Sequence, residues 1–294
     1  MAHVTEHAAT RPQHTAGRAS SITGFEVTPS GAALAAEIRG IDFSRPVPED
    51  VQEAMRRAWA EHLVLLIRDQ QIDDDQLLAM SGIFGPPHEA ASRRYHLNVG
   101  ARVDDKHMIS RHPSVSIISN VDEHGNPVLD NGGLGSYEVV WHTDNSYVEV
   151  PPAGSMLYAL EIPPADCGGD TSFNNQYLAY EELPEELKQA IAGKSQIHDS
   201  SRNSAGILRP GVKMPTRPEE VEGPVHPLVR VHLSSFGDLP IALPRRSKAN
   251  HQACGFAPLI CVRSMNRRSL GSKAVRLCIA HRLSHMSRSP TLHF

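Results

Sequence analysis

The sequence predicts a mainly β fold with flanking helices, and three observations support this class. Short apolar runs of strand length recur along the chain, most clearly at 63–67 and within 139–162. Three segments carry a helical period, but they do not alternate regularly with the strands. No run of 18 or more apolar residues occurs in the 294 residues, so no membrane-spanning helix is predicted.

Strand-like composition dominates the first quarter of the chain. Residues 25–28 and 33–38 are predicted as two strands that are separated by a turn at 29–31. Residues 63–67 are apolar without alternation, which is expected of a strand that is covered on both faces. These strands therefore predict a sheet with a buried member.

Three helices are predicted around the strands. The first follows Pro48, and its apolar residues recur every four positions on the face that should contact the sheet. These residues are Val51, Met55 and Trp59. Asp73 is expected to cap the second helix and Gly85 to end it. The third helix is predicted to begin at Pro184 and to end at Gly193.

The composition favours a globular protein of the cytoplasm. Hydrophobic residues form 40% of the chain and charged residues 21%. Residues 1–23 lack the apolar centre of a secretory signal, and we expect them to form a disordered tail. The four cysteines include no C-x-x-C pair, which argues against a disulfide framework and against a thiolate zinc site.

The formal net charge of −4 is unevenly distributed along the chain. Residues 233–294 carry eight Arg and two Lys against one acidic residue, Asp238. Basic tails can bind nucleic acid or membranes, but such tails are usually poor in apolar residues, whereas this one contains many. The rest of the chain is acidic and would repel nucleic acid. We therefore expect neither a nucleic-acid partner nor a membrane partner.

The segment Trp141-His142-Thr143-Asp144 carries the strongest chemical signal. If it is a strand, as predicted, His142 and Asp144 project to the same face. One imidazole and one carboxylate form two thirds of a 2-His-1-carboxylate triad, which leaves positions on Fe(II) open for small molecules. An isolated H-x-D pair is more often a surface hydrogen bond, so the surrounding sequence has to decide.

Six sequence blocks in a fixed order surround this pair. They are A-E-I-R-G-I-D at 36–42, the apolar strand that ends in R-D-Q at 63–70, F-G-P at 84–86, W-H-T-D at 141–144 with P-P-A-G at 151–154, G-G-D-T at 168–171, and H-P-L-V-R-V-H at 226–232. Together they resemble the taurine dioxygenase (TauD/TfdA) family over residues 24–232.

The resemblance implies a double-stranded β-helix, or jelly roll, and an oxidoreductase that uses Fe(II) and 2-oxoglutarate. It implies His142 and Asp144 as iron ligands and Thr171 as a hydroxyl donor to 2-oxoglutarate; the alternative for Thr171 is a β-branched strand residue. His226 and His232 are interpreted as architectural. The implied partners are O2 and a small anionic substrate, such as an alkylsulfonate or an aryloxyalkanoate, and homo-oligomerisation is left open.

The polar stretch 86–137 is predicted to be a substrate lid that contains one strand, Val115–Ile118. Three polar residues are candidates for substrate contact, because the family places such contacts in this part of the stretch. A fourth candidate follows His142 and Asp144. The four candidates are His88, Tyr95, His96 and Asn145. A surface position without a ligand is the more common role for each of them.

Residues 233–294 depart from the family pattern. The segment of the type W-D-N-R-x-x-x-H, which would supply a second histidine ligand, is not recognisable, and neither is the Arg that would bind the distal carboxylate of 2-oxoglutarate. His251 and His293 have roughly suitable spacings but lack the surrounding strand pattern. We expect a jelly roll that is incomplete at its C-terminal part and a divergent tail, as a changed reading frame would produce. The chain would then be nearly inactive, or a binding remnant.

Overall fold

A computed structural model describes residues 20–22, 24–91, 93–100, 110–119, 141–161, 171–234, 237–242, 259–263, 274–280 and 292–293. The predicted N-terminal tail lies outside these residues, except that Ser20–Ile22 forms a strand. Most of the predicted lid also lies outside them. None of the helices in the described ranges is long and apolar enough to cross a membrane.

The described residues contain strands and short helices in mixed order. The strands are β1 Ser20–Ile22, β2 Phe25–Pro29, β3 Ala36–Arg39, β4 Val64–Arg68, β5 Val115–Ser119, β6 Gly154–Glu161, β7 Ser172–Phe173, β8 Ser195–Ile197, β9 Val225–Pro227, β10 Val229–Ser234, β11 Gly237–Ala242, β12 Leu259–Arg263, β13 Ala274–Ala280 and β14 Leu292–His293. The α-helices are α1 Glu49–His62, α2 Asp74–Gly82, α3 Arg93–Asn98, α4 Gln176–Glu181 and α5 Glu185–Ile191.

One large sheet organises the chain, with the strand order β1-β2-β3-β4-β12-β6-β13-β5. β12 runs parallel to both of its neighbours, whereas β13 runs antiparallel to β6 and β5. Three two-stranded pairs accompany it, namely β10 with β11, β14 with β7, and β8 with β9. Strands with flanking helices are thus the architecture, as the sequence predicts.

The tail contributes strands to this sheet, in contrast to the expectation of a sheet that lacks its last strands. β12 pairs with β4 from Leu259 opposite Val64 to Arg263 opposite Arg68, and it also pairs with β6. The segments 259–263 and 274–280 are rich in Leu, Ile, Val and Cys, which suit covered strands. Because β12 pairs with both β4 and β6, the edges of these two strands that face each other are hydrogen-bonded.

The larger hydrophobic core lies where α1 and α2 pack on one face of the sheet. The predicted stripe of α1 is buried, and Met55 of that stripe packs with Leu65 and Ile67 of β4. The ring of Trp59 meets that of Phe84 edge-on, with centroids 5.1 Å apart. The burial of residues 63–67 agrees with a strand covered on both faces, although the strand itself begins at Val64.

The helix boundaries follow local sequence signals closely. Asp73 caps α2 as predicted: its Oδ1 accepts a hydrogen bond from the Gln76 backbone N at 2.8 Å, and Gln76 Oε1 accepts one from the Asp73 backbone N at 2.9 Å. α2 ends at Gly82, three residues before the predicted Gly85. α5 ends before Gly193, whose φ of 69° is the left-handed conformation common after helices.

The two faces of β6 have different neighbours. Met156 and Tyr158 belong to the larger core, beneath the helices. Leu157 packs instead with Phe173 of β7 in a smaller cluster. Since alternate residues of a strand project to the same face, Ser155 lies on the Leu157 face of β6. This face carries the candidate site.

Candidate metal centre

His142 and Asp144 converge, as predicted, but not from a strand. His142 Nε2 lies 3.2 Å from Asp144 Oδ1, within the separation of about 3 to 4 Å expected for two ligands of one ion. The prediction of a strand at 141–144 is wrong, because residues 141–143 have no regular secondary structure and Asp144 begins a turn. Asn145 has a φ of 51°, and its carbonyl accepts a hydrogen bond from the Val148 N at 3.2 Å. Asn145 thus has the left-handed conformation, which Asn tolerates, within the turn 144–147.

Ser155 fixes the second oxygen of the carboxylate. Its Oγ donates a hydrogen bond of 2.9 Å to Asp144 Oδ2, and the residue is 3% exposed at the start of β6. The carboxylate therefore has His142 at one oxygen and Ser155 at the other. Ser155 belongs to none of the six sequence blocks and was not predicted as a site residue. The available signal was its position directly after the P-P-A-G block.

The carboxylate of Asp144 is stabilised in its ionised form. Burial raises its pKa, but the hydrogen bond and charge of His142 and the hydrogen bond from Ser155 outweigh burial and leave the pKa below its ordinary value. The ionised form is the one that binds metal ions. The side chains of His142 and Asp144 are 25% and 34% exposed, so small molecules can reach them.

The donor set for a metal is incomplete within the described side chains. Among them, no group of three His, Cys, Asp or Glu residues is arranged to hold an ion. His142 and Asp144 have the chemistry that Fe(II) needs from two ligands. His251 lies outside the described residues, and His293 lies in β14, where its backbone pairs with Ser172.

Thr171 is half-buried and directly precedes β7. Phe173, two residues later, packs with Leu157 on the face of β6 that also carries Ser155. β7 and Asp144 therefore lie over the same face of the sheet. The 2-oxoglutarate contact of Thr171 stays a prediction.

His226 supports the turn that follows Asp144. Its Nε2 lies 3.1 Å from the Val148 carbonyl oxygen, its ring meets that of His198 edge-on at 5.0 Å, and it is 5% exposed. These contacts agree with an architectural role. Burial, reinforced by the charge of Arg230, lowers the pKa of His226, although the Val148 carbonyl and Glu149 oppose the shift.

We expect His226 to reduce stability in mild acid. Its ordinary pKa of 6.5 applies to the unfolded chain, whereas its folded pKa is lower. The unfolded state therefore binds more protons as the pH falls through 6.5, and the free energy of unfolding decreases. His226→Gln should lose less stability than the wild type between about pH 7.5 and about pH 5.5 in urea titrations. Equal losses in both proteins would contradict this assignment.

The four polar candidates near the lid and the metal pair have different environments. His88 is exposed and His96 is half-buried, in agreement with surface positions. Tyr95 is 8% exposed on α3, so the surface interpretation is wrong for it. Its ring is covered by the side chain of the adjacent Arg94 and by that of Arg209, which lies 114 positions away in the sequence. Asn145 Oδ1 accepts a hydrogen bond of 3.1 Å from the Tyr147 hydroxyl.

Two curated proteins are similar to this chain. Pentalenolactone F synthase from Streptomyces avermitilis is 30% identical over 213 residues, which cover 68% of this chain and 64% of the relative. The alpha-ketoglutarate-dependent sulfate ester dioxygenase of Pseudomonas putida is 28% identical over 217 residues, which cover 71% of this chain and 62% of the relative. The chain thus matches less than two thirds of the length of these relatives.

A solved structure supports the fold, and a family model places the chain. The structure of AAD-2 in complex with Mn(II) and N-oxalylglycine matches with a TM-score of 0.60 at 19% identity, covering 92% of this chain and 98% of that chain. At this identity the similarity concerns the fold alone. The family model described as taurine catabolism dioxygenase TauD, TfdA family matches residues 26–253, which is most of the chain. The chain therefore belongs to the TauD/TfdA family.

Proposed function

We propose that the chain is an Fe(II)- and 2-oxoglutarate-dependent dioxygenase that hydroxylates a small anionic organic molecule on a jelly-roll scaffold. The convergence of His142 Nε2 and Asp144 Oδ1 at 3.2 Å is the observation that carries the proposal. Membership of the family supports it. The similarity to the relative from Pseudomonas putida, whose name specifies alpha-ketoglutarate and a sulfate ester, also supports the proposal.

The residues of the site have distinct proposed roles. His142 and Asp144 would hold the iron. Iron and 2-oxoglutarate together would supply the activation of O2 for oxidation of the substrate. Ser155 keeps the Asp144 carboxylate from rotating, because it occupies the oxygen that does not face His142. Thr171 would donate a hydrogen bond to 2-oxoglutarate from the same side of the sheet.

The substrate is proposed to be an alkyl sulfate, an alkylsulfonate or an aryloxyalkanoate, acted on in the cytoplasm. A sulfate ester is the substrate class in the name of one relative. No nucleic-acid or membrane partner is proposed, because the excess of basic over acidic residues lies in the apolar-rich segment 233–294 and not in a polar arm, and the rest of the chain is acidic.

The second candidate function is a catalytically impaired member of the same family. It is favoured by the absence of a third metal ligand among the described side chains. We propose that residues 233–294 are an altered C-terminal part, which follows a dioxygenase domain at 24–232. The nucleotide sequence downstream of the His232 codon, read in all three frames, tests this origin. A W-D-N-x-x-x-x-H segment in another frame would support it, and its absence from every frame would contradict it.

An anaerobic titration tests the proposed function. At saturating Fe(II), addition of 2-oxoglutarate should produce the visible charge-transfer band of an iron complex with that cosubstrate. The band should be absent from Asp144→Ala and present in Asp75→Ala, whose carboxylate is 85% exposed on α2. A folded wild-type chain that forms no band at millimolar Fe(II) would contradict the assignment of a dioxygenase site.

A further inference from the structure

We infer that Arg209 is the receptor for the oxyanion group of an organic substrate, at a subsite beside the His142–Asp144 pair. The inference rests on the proposed function and deepens it, because it assigns one residue to the recognition of the anionic end of the substrate. Sequence analysis did not single out Arg209. Its surroundings come from three separate parts of the chain.

The loop that carries Arg209 is held in a defined shape. The Arg209 backbone N donates a hydrogen bond of 2.8 Å to the Ser201 carbonyl, and Arg202 pairs with Leu208 in an isolated β-bridge. Asn203 Oδ1 accepts hydrogen bonds from the backbone N atoms of Ala205 at 3.0 Å and Ile207 at 2.9 Å. The guanidinium is therefore presented by an ordered loop.

Two tyrosine rings cover the guanidinium of Arg209. Its Cζ lies 4.2 Å from the ring centroid of Tyr147 and 5.0 Å from that of Tyr95. Tyr147 follows the metal pair, whereas Tyr95 belongs to α3. Arg209 is 9% exposed, and both rings are also buried, so these contacts lie inside the protein. The charge of Arg209 also acts on His96, because burial and this charge together lower the pKa of His96.

No anionic partner balances this buried charge within the described part of the chain. Arg209 forms no ion pair there, and its Nε is enclosed without a hydrogen-bond partner. A buried guanidinium is costly unless it is paired, and contact with aromatic faces offsets only part of that cost. The N–H groups point outward in the guanidinium plane, away from aromatic faces, and their planar fork matches a carboxylate or sulfate. A bound oxyanion would balance the charge of Arg209 and accept hydrogen bonds from these N–H groups.

The subsite lies close to the candidate metal pair. Tyr147 is three residues after Asp144, so their Cα atoms are at most about 11 Å apart. Tyr147 is tied to the turn at Asp144 through its hydrogen bond to Asn145. The proposal places the carbon chain of a molecule whose oxyanion contacts Arg209 on the His142 side of the subsite. The tyrosine rings favour an apolar or aromatic body next to the anionic group.

Binding measured without metal tests the inference separately from catalysis. Hexyl sulfate and phenoxyacetate are titrated by calorimetry into the metal-free chain, with hexanol as the uncharged comparison. We expect Arg209→Met to weaken the binding of at least one anion by about 10- to 100-fold, the size of a lost charge-assisted hydrogen-bond pair. Arg209→Lys should show a smaller loss, because it keeps the charge but not the planar fork. The affinity for hexanol should stay the same in all variants.

Arg94→Met is the matched control. Arg94 also lies over the Tyr95 ring, at 4.7 Å, but it is exposed and donates a hydrogen bond of 2.7 Å to the Tyr95 hydroxyl. Its replacement should change anion affinity less than about twofold. Urea titrations verify that each variant is folded, and a second variant, Arg209→Gln, replaces Arg209→Met if the latter does not fold. Binding of both anions at wild-type strength by a folded Arg209 variant would overturn the inference.

The outcomes separate this inference from the proposed function. Anion binding that depends on Arg209, in a chain that forms no iron complex, supports the subsite and removes the dioxygenase assignment. Failure of the wild-type chain to bind either anion at millimolar concentration overturns the subsite and leaves the iron titration to decide the reaction. A preference for hexyl sulfate over phenoxyacetate would identify the sulfate as the head group, and the reverse preference would identify the carboxylate.

Discussion

Asp144→Ala is expected to weaken Fe(II) binding by more than about 100-fold, because the variant loses one of the two proposed protein ligands rather than an outer contact. Ser155→Ala removes only the hydrogen bond to Asp144 Oδ2 and should weaken binding by about 10-fold. Anaerobic calorimetric titration with Fe(II) measures both effects. The order of the two variants tests the geometry, since a ligand must matter more than the residue that orients it.

Two controls accompany the Asp144 measurement. Asp75→Ala removes an exposed carboxylate of α2 and should bind Fe(II) like the wild type. Asp144→Asn keeps the shape of the side chain but removes the charge, and it should resemble Asp144→Ala in metal affinity while staying folded. If Asp144→Ala binds Fe(II) as tightly as the wild type, the metal centre lies elsewhere.

The second large effect concerns the activity of the chain as it stands. We expect succinate release from 2-oxoglutarate to be about 100- to 10,000-fold slower than in a family member with a complete 2-His-1-carboxylate triad. The reason is that the sequence has no recognisable segment for a third iron ligand and no recognisable Arg for the distal carboxylate, and the lack of each would cost about 10- to 100-fold. Parallel single-turnover assays with equal iron and cosubstrate concentrations measure the ratio.

Stoichiometric formation of the charge-transfer band with rapid succinate release would contradict this expectation. The third ligand would then be a histidine of the tail, and His251→Ala and His293→Ala would identify it. The pairing of β14 with β7 places the His293 backbone opposite Ser172, next to Thr171. His285→Ala provides a tail histidine for comparison, because the sequence pattern does not indicate His285 as a ligand.

Local patterns predicted the elements that depend on local energetics. The stripe of α1, the Asp73 cap of α2 and the burial of 63–67 follow from residue spacing, and the structure confirms each of them. The approach of His142 to Asp144 was also predictable, because only one residue separates them. The predicted reason was nevertheless wrong, since a turn rather than a strand brings them together.

Tertiary structure alone decided the contacts that complete the site. Ser155 reaches Asp144 only because β6 passes beneath the turn, and Arg209 meets Tyr95 across 114 positions of sequence. The position of β12 between β4 and β6 could not be predicted from a local pattern either, because the pairing of β12 with β4 joins segments nearly 200 residues apart. Periodicity reports which face of an element is buried, but it carries no information about which distant element covers that face. The sequence by itself therefore determined the His142–Asp144 pair, as a candidate for metal binding, and the family resemblance, whereas the fold decided what surrounds the pair.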